Sequence, residues 1–290
     1  MELWLLYAII GSFFGGINSV LAKIGIKGVN SHLATAVRTI VVVIFSWGVV
    51  ILVGSHTQLQ NVGLQSWIFL IASGLATGAS WLCFYYALKY GTVSNVSPLK
   101  KSSTVLTIIL AFLILGEPVA WPQMFGIVFI TLGTALMLKK KERTVEEDGG
   151  GKNWLLFGLL AAVFASLRTI LGAIGIVDVE ANLGNAIRVV VVLLASWGIV
   201  LMTGKQKGIK EISKKSWLFL TLSGLATGGA WLFFFRALQI GPTSVIVPID
   251  KLSILLNIFF ARIFLGEEQS PKRLAGLACL IIGTFFLVLL

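Results

Sequence analysis

Charged residues are scarce in this sequence. Only 12% of its 290 residues are charged and 57% are hydrophobic, whereas a soluble globular domain has about 25% charged residues. The apolar residues form blocks of roughly 20, long enough to cross a hydrocarbon layer of ~30 Å as helices. Lipid cannot hydrogen-bond exposed backbone groups, and the continuous apolar blocks lack the alternation of a membrane β-barrel. An all-α integral membrane protein is therefore predicted.

Cysteine and histidine are also rare, with two of each. Cys83 and Cys279 lie inside apolar blocks and offer neither a disulfide framework nor a thiolate metal site. His32 and His56 are single residues in or near loops. The sequence has no HExxH or GxSxG motif, no paired carboxylates inside an apolar block and no glycine-rich phosphate loop. We therefore expect no enzyme activity, no metal and no cofactor, and leave coupling to protons or ions open.

Ten apolar blocks predict ten transmembrane helices. Turn or charge signals separate them at about 3–22, 33–53, 66–88, 93–115, 120–138, 154–173, 183–203, 217–238, 243–265 and 272–290. The first block has no basic segment before it and no small-residue cleavage signal after it. We therefore expect it to be a helix of the mature protein rather than a signal peptide.

The chain repeats itself after 150 residues without a gap. Arg38 then aligns with Arg188, and 15 of 25 positions are identical between 64–88 and 214–238. The repeats are predicted at 1–138 and 154–290, joined by the linker 139–153. Because each repeat holds an odd number of helices, the second must be inverted relative to the first.

The loop charges predict the orientation of the chain. Lys and Arg occur in the loops after helices 1, 3, 5, 7 and 9, and are absent from the other loops and from both ends. By the positive-inside rule the odd loops are expected in the cytoplasm and both termini outside. The linker, KKKERTVEEDGGGKN, is then cytoplasmic and flexible. Since the basic residues lie in short loops between apolar blocks, the net charge of +11 does not indicate a nucleic-acid partner.

Several motifs resemble the EamA branch of the drug/metabolite transporter superfamily. They are AKIGIKGVNSHLATAVRT at 22–39, the SGLATG-x-x-WL runs at 73–82 and 223–232, ALQIGPTSVIVPIDKLS at 237–253, and the LGE ends at 117 and 267. Each half resembles the small five-helix bacterial and archaeal members, which act as inverted pairs. The resemblance implies a transporter whose helices 1–4 and 6–9 form the central path, with helices 5 and 10 peripheral. Larger family members usually keep both termini in the cytoplasm, whereas the loop charges here predict the reverse.

Nine charged residues fall inside the predicted helices, where each costs at least ~2.5–3.5 kcal/mol at the helix centre. They are Arg38, Lys100, Lys101, Arg168, Arg188, Arg236, Asp250, Lys251 and Arg262. Arg262 is near a helix end and is expected to reach the interface. For the other arginines, ligand contact is weighed against snorkelling or pairing. Arg168, Arg188 and Arg236 could converge on an outer vestibule, or could pair with the loop acids Asp178 and Glu180.

Four of these charges stand next to prolines that are predicted to break their helices. Lys100 and Lys101 follow Pro98, and Asp250 and Lys251 follow Pro248. Broken helices near the midplane are typical of binding sites in secondary transporters. The four charges are predicted to meet and to act in substrate binding or coupling. The alternative is a closed ion pair of Asp250 with a lysine, which only joins helices 4 and 9.

Other candidate residues have a structural interpretation as well. Four glycines at GxxxG spacing are predicted to pack helices closely: Gly74, Gly78, Gly224 and Gly228. Three aromatic residues could line a cavity or pack in the interior: Trp81, Tyr85 and Trp231. The carboxylates of Glu117 and Glu267 are expected to favour the N-termini of helices 5 and 10.

These observations predict a secondary transporter that works by alternating access in the cytoplasmic membrane of a bacterium or archaeon. The excess of positive charge inside the helices favours a small anionic or carboxylate-bearing solute such as an amino acid or organic acid. An exporter of drugs or other hydrophobic or cationic compounds, and a channel-like facilitator, remain as alternatives. The expected partners are the lipid bilayer and the solute, with the protein as a monomer or weak homodimer.

Overall fold

A computed structural model describes residues 2–90, 103–118, 121–136, 153–253, 255–256, 259 and 270–289. Within these ranges the regular structure is helical and contains no strand. The described α-helices are α1 (Leu3–Gly25), α2 (Ser31–Val53), α3 (Leu64–Tyr90), α4 (Ser103–Leu115), α5 (Trp121–Leu136), α6 (Asn153–Gly175), α7 (Ala181–Met202), α8 (Lys214–Ile240), α9 (Thr243–Lys251) and α10 (Pro271–Leu289). Two 3₁₀ helices lie at Ser55–Asn61 and Lys205–Glu211.

Six of the described helices are long and apolar enough to cross a membrane. These spans are Leu3–Ala22, Ser31–Val53, Leu64–Phe84, Trp154–Gly175, Ala181–Met202 and Lys214–Ile240. Shorter apolar helices occupy Ser103–Leu115, Met124–Gly133 and Leu274–Leu287. The protein is thus a helical membrane protein. The predicted candidates Pro98, Lys100 and Lys101 lie outside the described residues, as do Arg262 and most of the linker.

Equivalent helices of the two repeats are capped in equivalent ways at both ends. Asn30 accepts a hydrogen bond from the backbone N–H of His32 at the start of α2. Its repeat partner Glu180 accepts one from Leu183 at the start of α7. Both helices are followed by a glycine in the left-handed region, Gly54 with φ 78° and Gly204 with φ 67°. This conformation suits glycine because it lacks a Cβ.

The helices form two compact units that each draw on both sequence repeats. One unit comprises Met1–Leu75, Leu171–Pro242 and Ile249–Glu267. The second comprises Ala76–Ile170, Thr243–Pro248 and Glu268–Leu290. Long helices such as α3 and α6 pass from one unit into the other.

In the first unit, glycines of one repeat pack against the other repeat in matching ways. A Cβ on Gly74 of α3 would lie 2.6 Å from the Cβ of Val191 on α7, and one on Gly224 of α8 would lie 2.6 Å from that of Val41 on α2. The members of these two pairs are repeat equivalents. This exchange of equivalent contacts is characteristic of a two-fold relation. Gly228 likewise packs closely against the ring of Phe45.

In the second unit, α5 and α10 cross at glycines. A Cβ on Gly126 would lie 2.8 Å from the carbonyl oxygen of Gly283, and one on Gly133 would lie 2.6 Å from that of Gly276. The earlier glycine of each helix therefore meets the later glycine of its partner. The two helices run antiparallel, and their backbones are in direct contact.

The short helix α9 contains Pro248 and ends three residues later, at Lys251. The backbone N–H of Leu252 bonds to the carbonyl of Ile249, and that of Leu255 to the carbonyl of Leu252. These i to i+3 hydrogen bonds are those of a 3₁₀ turn, which is wound more tightly than an α-helix. The predicted helix 243–265 is therefore interrupted at Leu252, just beyond the two charged residues.

Candidate solute-binding site

Arg38 belongs to a polar cluster formed by three helices of the first unit. Its Nη1 donates to the Oδ1 of Asn18 on α1 at 3.2 Å and to the Oγ of Ser223 on α8 at 3.4 Å. The Asn18 oxygen also accepts from Ser223 Oγ at 2.7 Å and from Thr227 Oγ1 at 2.9 Å. The cluster offsets the cost of a charge in an apolar helix and joins α1, α2 and α8.

Arg188, the repeat equivalent of Arg38, is held differently. It is 1% exposed. Its guanidinium carbon lies 4.5 Å from the ring centroid of Trp231 and 4.6 Å from that of Phe235. Its Nη2 donates to the Oδ1 of Asn185, one turn earlier, at 3.4 Å. The ring faces stabilise the cation through cation–π attraction of about 0.5–2 kcal/mol each and keep the guanidinium plane in a fixed orientation.

One of the repeat positions that differ around the two arginines exchanges an amide for a cation. Asn18, which supplies the acceptor beside Arg38, is replaced in the second repeat by Arg168. Arg168 donates from Nε to the carbonyl of Ala165 on its own helix at 3.3 Å. Ser73 and Thr77 repeat Ser223 and Thr227 and are both buried. In the counterpart of the Arg38 cluster, the two hydroxyls are thus retained, on α3 of the first repeat, whereas the amide is replaced by the cation of Arg168 on α6 of the second repeat.

Arg236 lies at the end of α8 and takes part in a network that holds the turn between α6 and α7. Its Nη1 donates to Gln239 Oε1 at 2.8 Å and lies 3.9 Å from Glu180 Oε1. The amide of Gln239 donates to the carbonyls of Ile176 and Val179 at 3.0 and 2.7 Å. This arrangement favours the second alternative for Arg236, pairing with a loop acid. The side chain is 40% exposed, so the pair contributes little stability.

Asp250 and Lys251 form an ion pair between neighbouring residues of α9. Lys251 Nζ lies 2.7 Å from Asp250 Oδ2, and both side chains are about one-third exposed. Because both residues belong to one helix, this pair by itself joins no other helix. Their predicted meeting with Lys100 and Lys101 falls outside the described residues.

Comparison with known proteins identifies the family of the chain. The sequence model of the EamA-like transporter family matches residues 2–139 and 152–289, nearly the whole chain. The chain belongs to this family.

Individual relatives cover either one half or the whole of this EamA protein. An "Uncharacterized transporter in cobO 3'region" from Sinorhizobium sp is 38% identical over 136 residues, 47% of this chain and 96% of that protein. Solute carrier family 35 member G1 of Homo sapiens is 22% identical over 290 residues, 96% of this chain and 77% of that protein. A solved structure described as "Crystal structure of protein" superimposes with a TM-score of 0.82 over 99% of this chain and 96% of that chain. At 14% identity, this likeness shows the fold alone.

The remaining candidates of the EamA protein are placed as follows. Trp81 is half-buried on α3 and Gly78 is buried on the same helix, while the side chain of Tyr85 lies outside the described part of the structure. Trp231, the repeat equivalent of Trp81, lies beneath the guanidinium of Arg188. Glu267 is also outside the described residues.

Glu117 acts on a different helix from the one that its sequence position indicates. It was expected to favour the N-terminus of helix 5, which follows it directly. Instead its two carboxylate oxygens accept from the backbone N–H groups of Thr243 and Ser244, at 2.7 and 2.8 Å. The carboxylate therefore caps α9 of the second repeat, where the first backbone N–H groups have no partner within the helix.

Sequence reasoning missed several partners of the arginines. Asn18 had a signal, since it stands opposite Arg168 in the repeat alignment, and Ser223 and Thr227 belong to the repeated SGLATG run. Asn185 and Phe235 had weaker signals. Asn185 lies one helical turn before Arg188, and Phe235 aligns with Tyr85 in the repeat. Asn18, Ser223 and Thr227 meet Arg38 only because α1, α2 and α8 pack together.

Proposed function

We propose that this EamA transporter is a secondary transporter that moves a small anionic or carboxylate-bearing solute across the cytoplasmic membrane by alternating access. The observation that carries the proposal is Arg188, buried on α7 and stacked on Trp231 and Phe235. A planar guanidinium in a fixed orientation matches the two oxygens of a carboxylate or the oxygens of a phosphate. An amino acid or organic acid fits this chemistry.

The difference between the two repeats supports an anion. In the first repeat, the amide of Asn18 accepts from Arg38. At the corresponding position the second repeat adds the positive charge of Arg168. With Lys251 and the two lysines of predicted helix 4, positive charge exceeds negative charge within the predicted helices. A solute that brings a negative charge lowers the electrostatic cost of this excess.

The antiparallel crossing of α5 and α10 supports inverted repeats of five helices each, ten in all. The matching contacts of Gly74 and Gly224 fit the same two-fold relation. In transporters built this way, alternating access arises when the two repeats exchange conformations around a fixed site. We place both termini outside the cell and the linker in the cytoplasm, on the evidence of the loop charges.

A ligand screen followed by transport tests the proposal. Purified protein is assayed by thermal shift with organic acids, amino acids, sugar phosphates and cationic drugs, and each ligand is then used in counterflow with proteoliposomes. We expect stabilisation and counterflow with an anionic solute. Counterflow distinguishes a carrier from a channel-like facilitator, because only a carrier couples the movement of two solute molecules.

Variants of Arg188 locate the site. Arg188→Gln should weaken binding of the anion at least tenfold, equal to about 1.4 kcal/mol. Arg188→Lys should weaken binding less than Arg188→Gln, since lysine keeps the positive charge but loses the two parallel hydrogen bonds that a guanidinium can donate. Arg236→Gln is the matched control and should bind like the wild type. If only cationic drugs bind, or if Arg188→Gln transports at the wild-type rate, the proposed substrate class is wrong.

A further inference from the structure

A cavity of about 270 Å³ opens between the α1–α2 turn and the second 3₁₀ helix, Lys205–Glu211. Its volume is just below the ~300–1,000 Å³ of sites for drug-sized ligands, so it suits a smaller group. The cavity is lined by the turn between the apolar spans Leu3–Ala22 and Ser31–Val53, by Leu33 in the first turn of the latter span, and by the segment between the spans Ala181–Met202 and Lys214–Ile240. This position corresponds to the boundary between membrane and water. The solute site around Arg188 shares no residue with it.

The lining of this cavity is apolar on one side and charged on the other. Leu33 and Ile212 are buried and belong to the hydrophobic core below the cavity. Lys205, Lys207 and Glu211 also line it, and all three are exposed. The cavity thus presents two cations and one anion above an apolar floor.

The fold does not require these charges. The first repeat has the same 3₁₀ helix at Ser55–Asn61, where Ser55, Thr57 and Asn61 replace the three charged residues. The positive-inside rule accounts for lysines in a cytoplasmic loop. It does not account for a carboxylate among them, nor for a cavity that all three residues share.

We propose that this cavity binds the headgroup of a phospholipid that carries both a phosphate and a primary ammonium group, as phosphatidylethanolamine does. Lys205 and Lys207 pair with the phosphate, and Glu211 accepts hydrogen bonds from the ammonium. The glycerol end of the lipid rests on Leu33 and Ile212. An apolar floor at the membrane surface fits a lipid better than free phosphate, which has no apolar part. The lipid belongs to the leaflet that faces the basic loops.

Native mass spectrometry of the full-length protein in detergent tests this site. The probes are phosphatidylethanolamine, phosphatidylglycerol and phosphatidylcholine, with inorganic phosphate as competitor. We expect one saturable site that prefers phosphatidylethanolamine to phosphatidylcholine, whose quaternary ammonium has no N–H to donate. The double variant Lys205→Gln/Lys207→Gln should lose this binding at least tenfold. Glu211→Gln should remove the preference for ethanolamine while binding of phosphatidylglycerol stays the same or increases.

The matched control is Lys214→Gln/Lys215→Gln, which removes two exposed lysines of the same basic segment outside the cavity. It should bind lipid like the wild type. Equal loss in the control would mean general attraction to basic loops and would overturn the proposal. Full competition by inorganic phosphate would make free phosphate the ligand, and a wild-type preference for phosphatidylglycerol would exclude the role of Glu211. These readouts do not depend on which solute is transported.

Discussion

The carboxylate of Glu117 accepts a hydrogen bond from the backbone N–H of Thr243, 2.7 Å away and 126 residues later in the chain. Glu117 lies two residues after the end of the fourth predicted helix of the first repeat, and Thr243 begins α9 of the second. The same carboxylate accepts from Ser244. One side chain of the first repeat therefore holds the N-terminus of the helix that carries Pro248, Asp250 and Lys251.

We expect Glu117→Ala to destabilise the protein by about 1–2 kcal/mol, because a helix cap and two charge-assisted hydrogen bonds are lost. Glu117→Gln should cost less, since one carbonyl oxygen remains to accept. The unfolding midpoint in detergent measures both. The control is Ser244→Ala, which keeps the backbone N–H that Glu117 uses and should stay near the wild type. Equal midpoints for Glu117→Ala and the wild type would show that the cap contributes nothing.

The glycine crossing predicts opposite effects for the same substitution at two places. Gly133→Ala puts a Cβ 2.6 Å from a backbone oxygen of α10, and such overpacking costs about 1–3 kcal/mol. Gly48→Ala, in the C-terminal half of α2, places a Cβ that meets no atom within 4 Å and should stabilise the protein by up to about 1 kcal/mol, since glycine is a poor helix former. Thermal unfolding of the two variants side by side measures the difference. An equal loss in both would contradict the crossing.

The predicted orientation can be tested by cysteine labelling. In a background without Cys83 and Cys279, single cysteines at Ser55–Gly63 should react with an impermeant maleimide in intact cells. Cysteines within 139–153 should react only after the membrane is opened. We expect this because the first segment has no Lys or Arg, whereas the second is rich in them. External labelling of the linker would reverse the orientation and leave the fold unchanged.

The charges of α9 predict a role in coupling. Lys251→Ala leaves Asp250 without the ammonium group that now lies 2.7 Å away, and Lys101→Ala removes the cation of the equivalent position. Each should abolish transport of the anionic solute, or uncouple it from protons, while the protein remains folded in the membrane. Transport rates at several values between about pH 5.5 and 8, where a coupled proton would show its effect, provide the measurement. Wild-type rates in both variants at every pH would exclude these lysines from the mechanism.

Much of the helical architecture could be predicted from the sequence, because apolar block length and turn residues act locally. The helix expected at 120–138 is observed at Trp121–Leu136, and that at 217–238 extends to Lys214–Ile240. The longer helix arises from a cap, since the Oγ of Ser213 accepts from the N–H of Ser216. Local patterns of this kind do not depend on how the helices pack.

The partners of the polar residues could not be predicted in the same way. Glu117 stands directly before helix 5 in the sequence but reaches α9, a contact that depends on tertiary structure. Likewise, the repeat alignment shows that Asn18 and Arg168 differ, but not that Asn18 accepts from Arg38. Helix packing decides which residues contact an arginine. A repeat alignment shows which positions are equivalent but not which residues are in contact.

In the crossing of α5 and α10, Gly126 and Gly276 are equivalent, as are Gly133 and Gly283, so one repeat already contains both surfaces of the contact. Two separate copies of a half-length chain could pair through the same contact. A mutation in their single gene would then change both copies, and so both ends of the interface, at once. In a fused chain each copy can change alone. The exchange of an asparagine for Arg168 in one copy only, with Asn18 retained in the other, is a difference that a pair of identical half-chains could never encode.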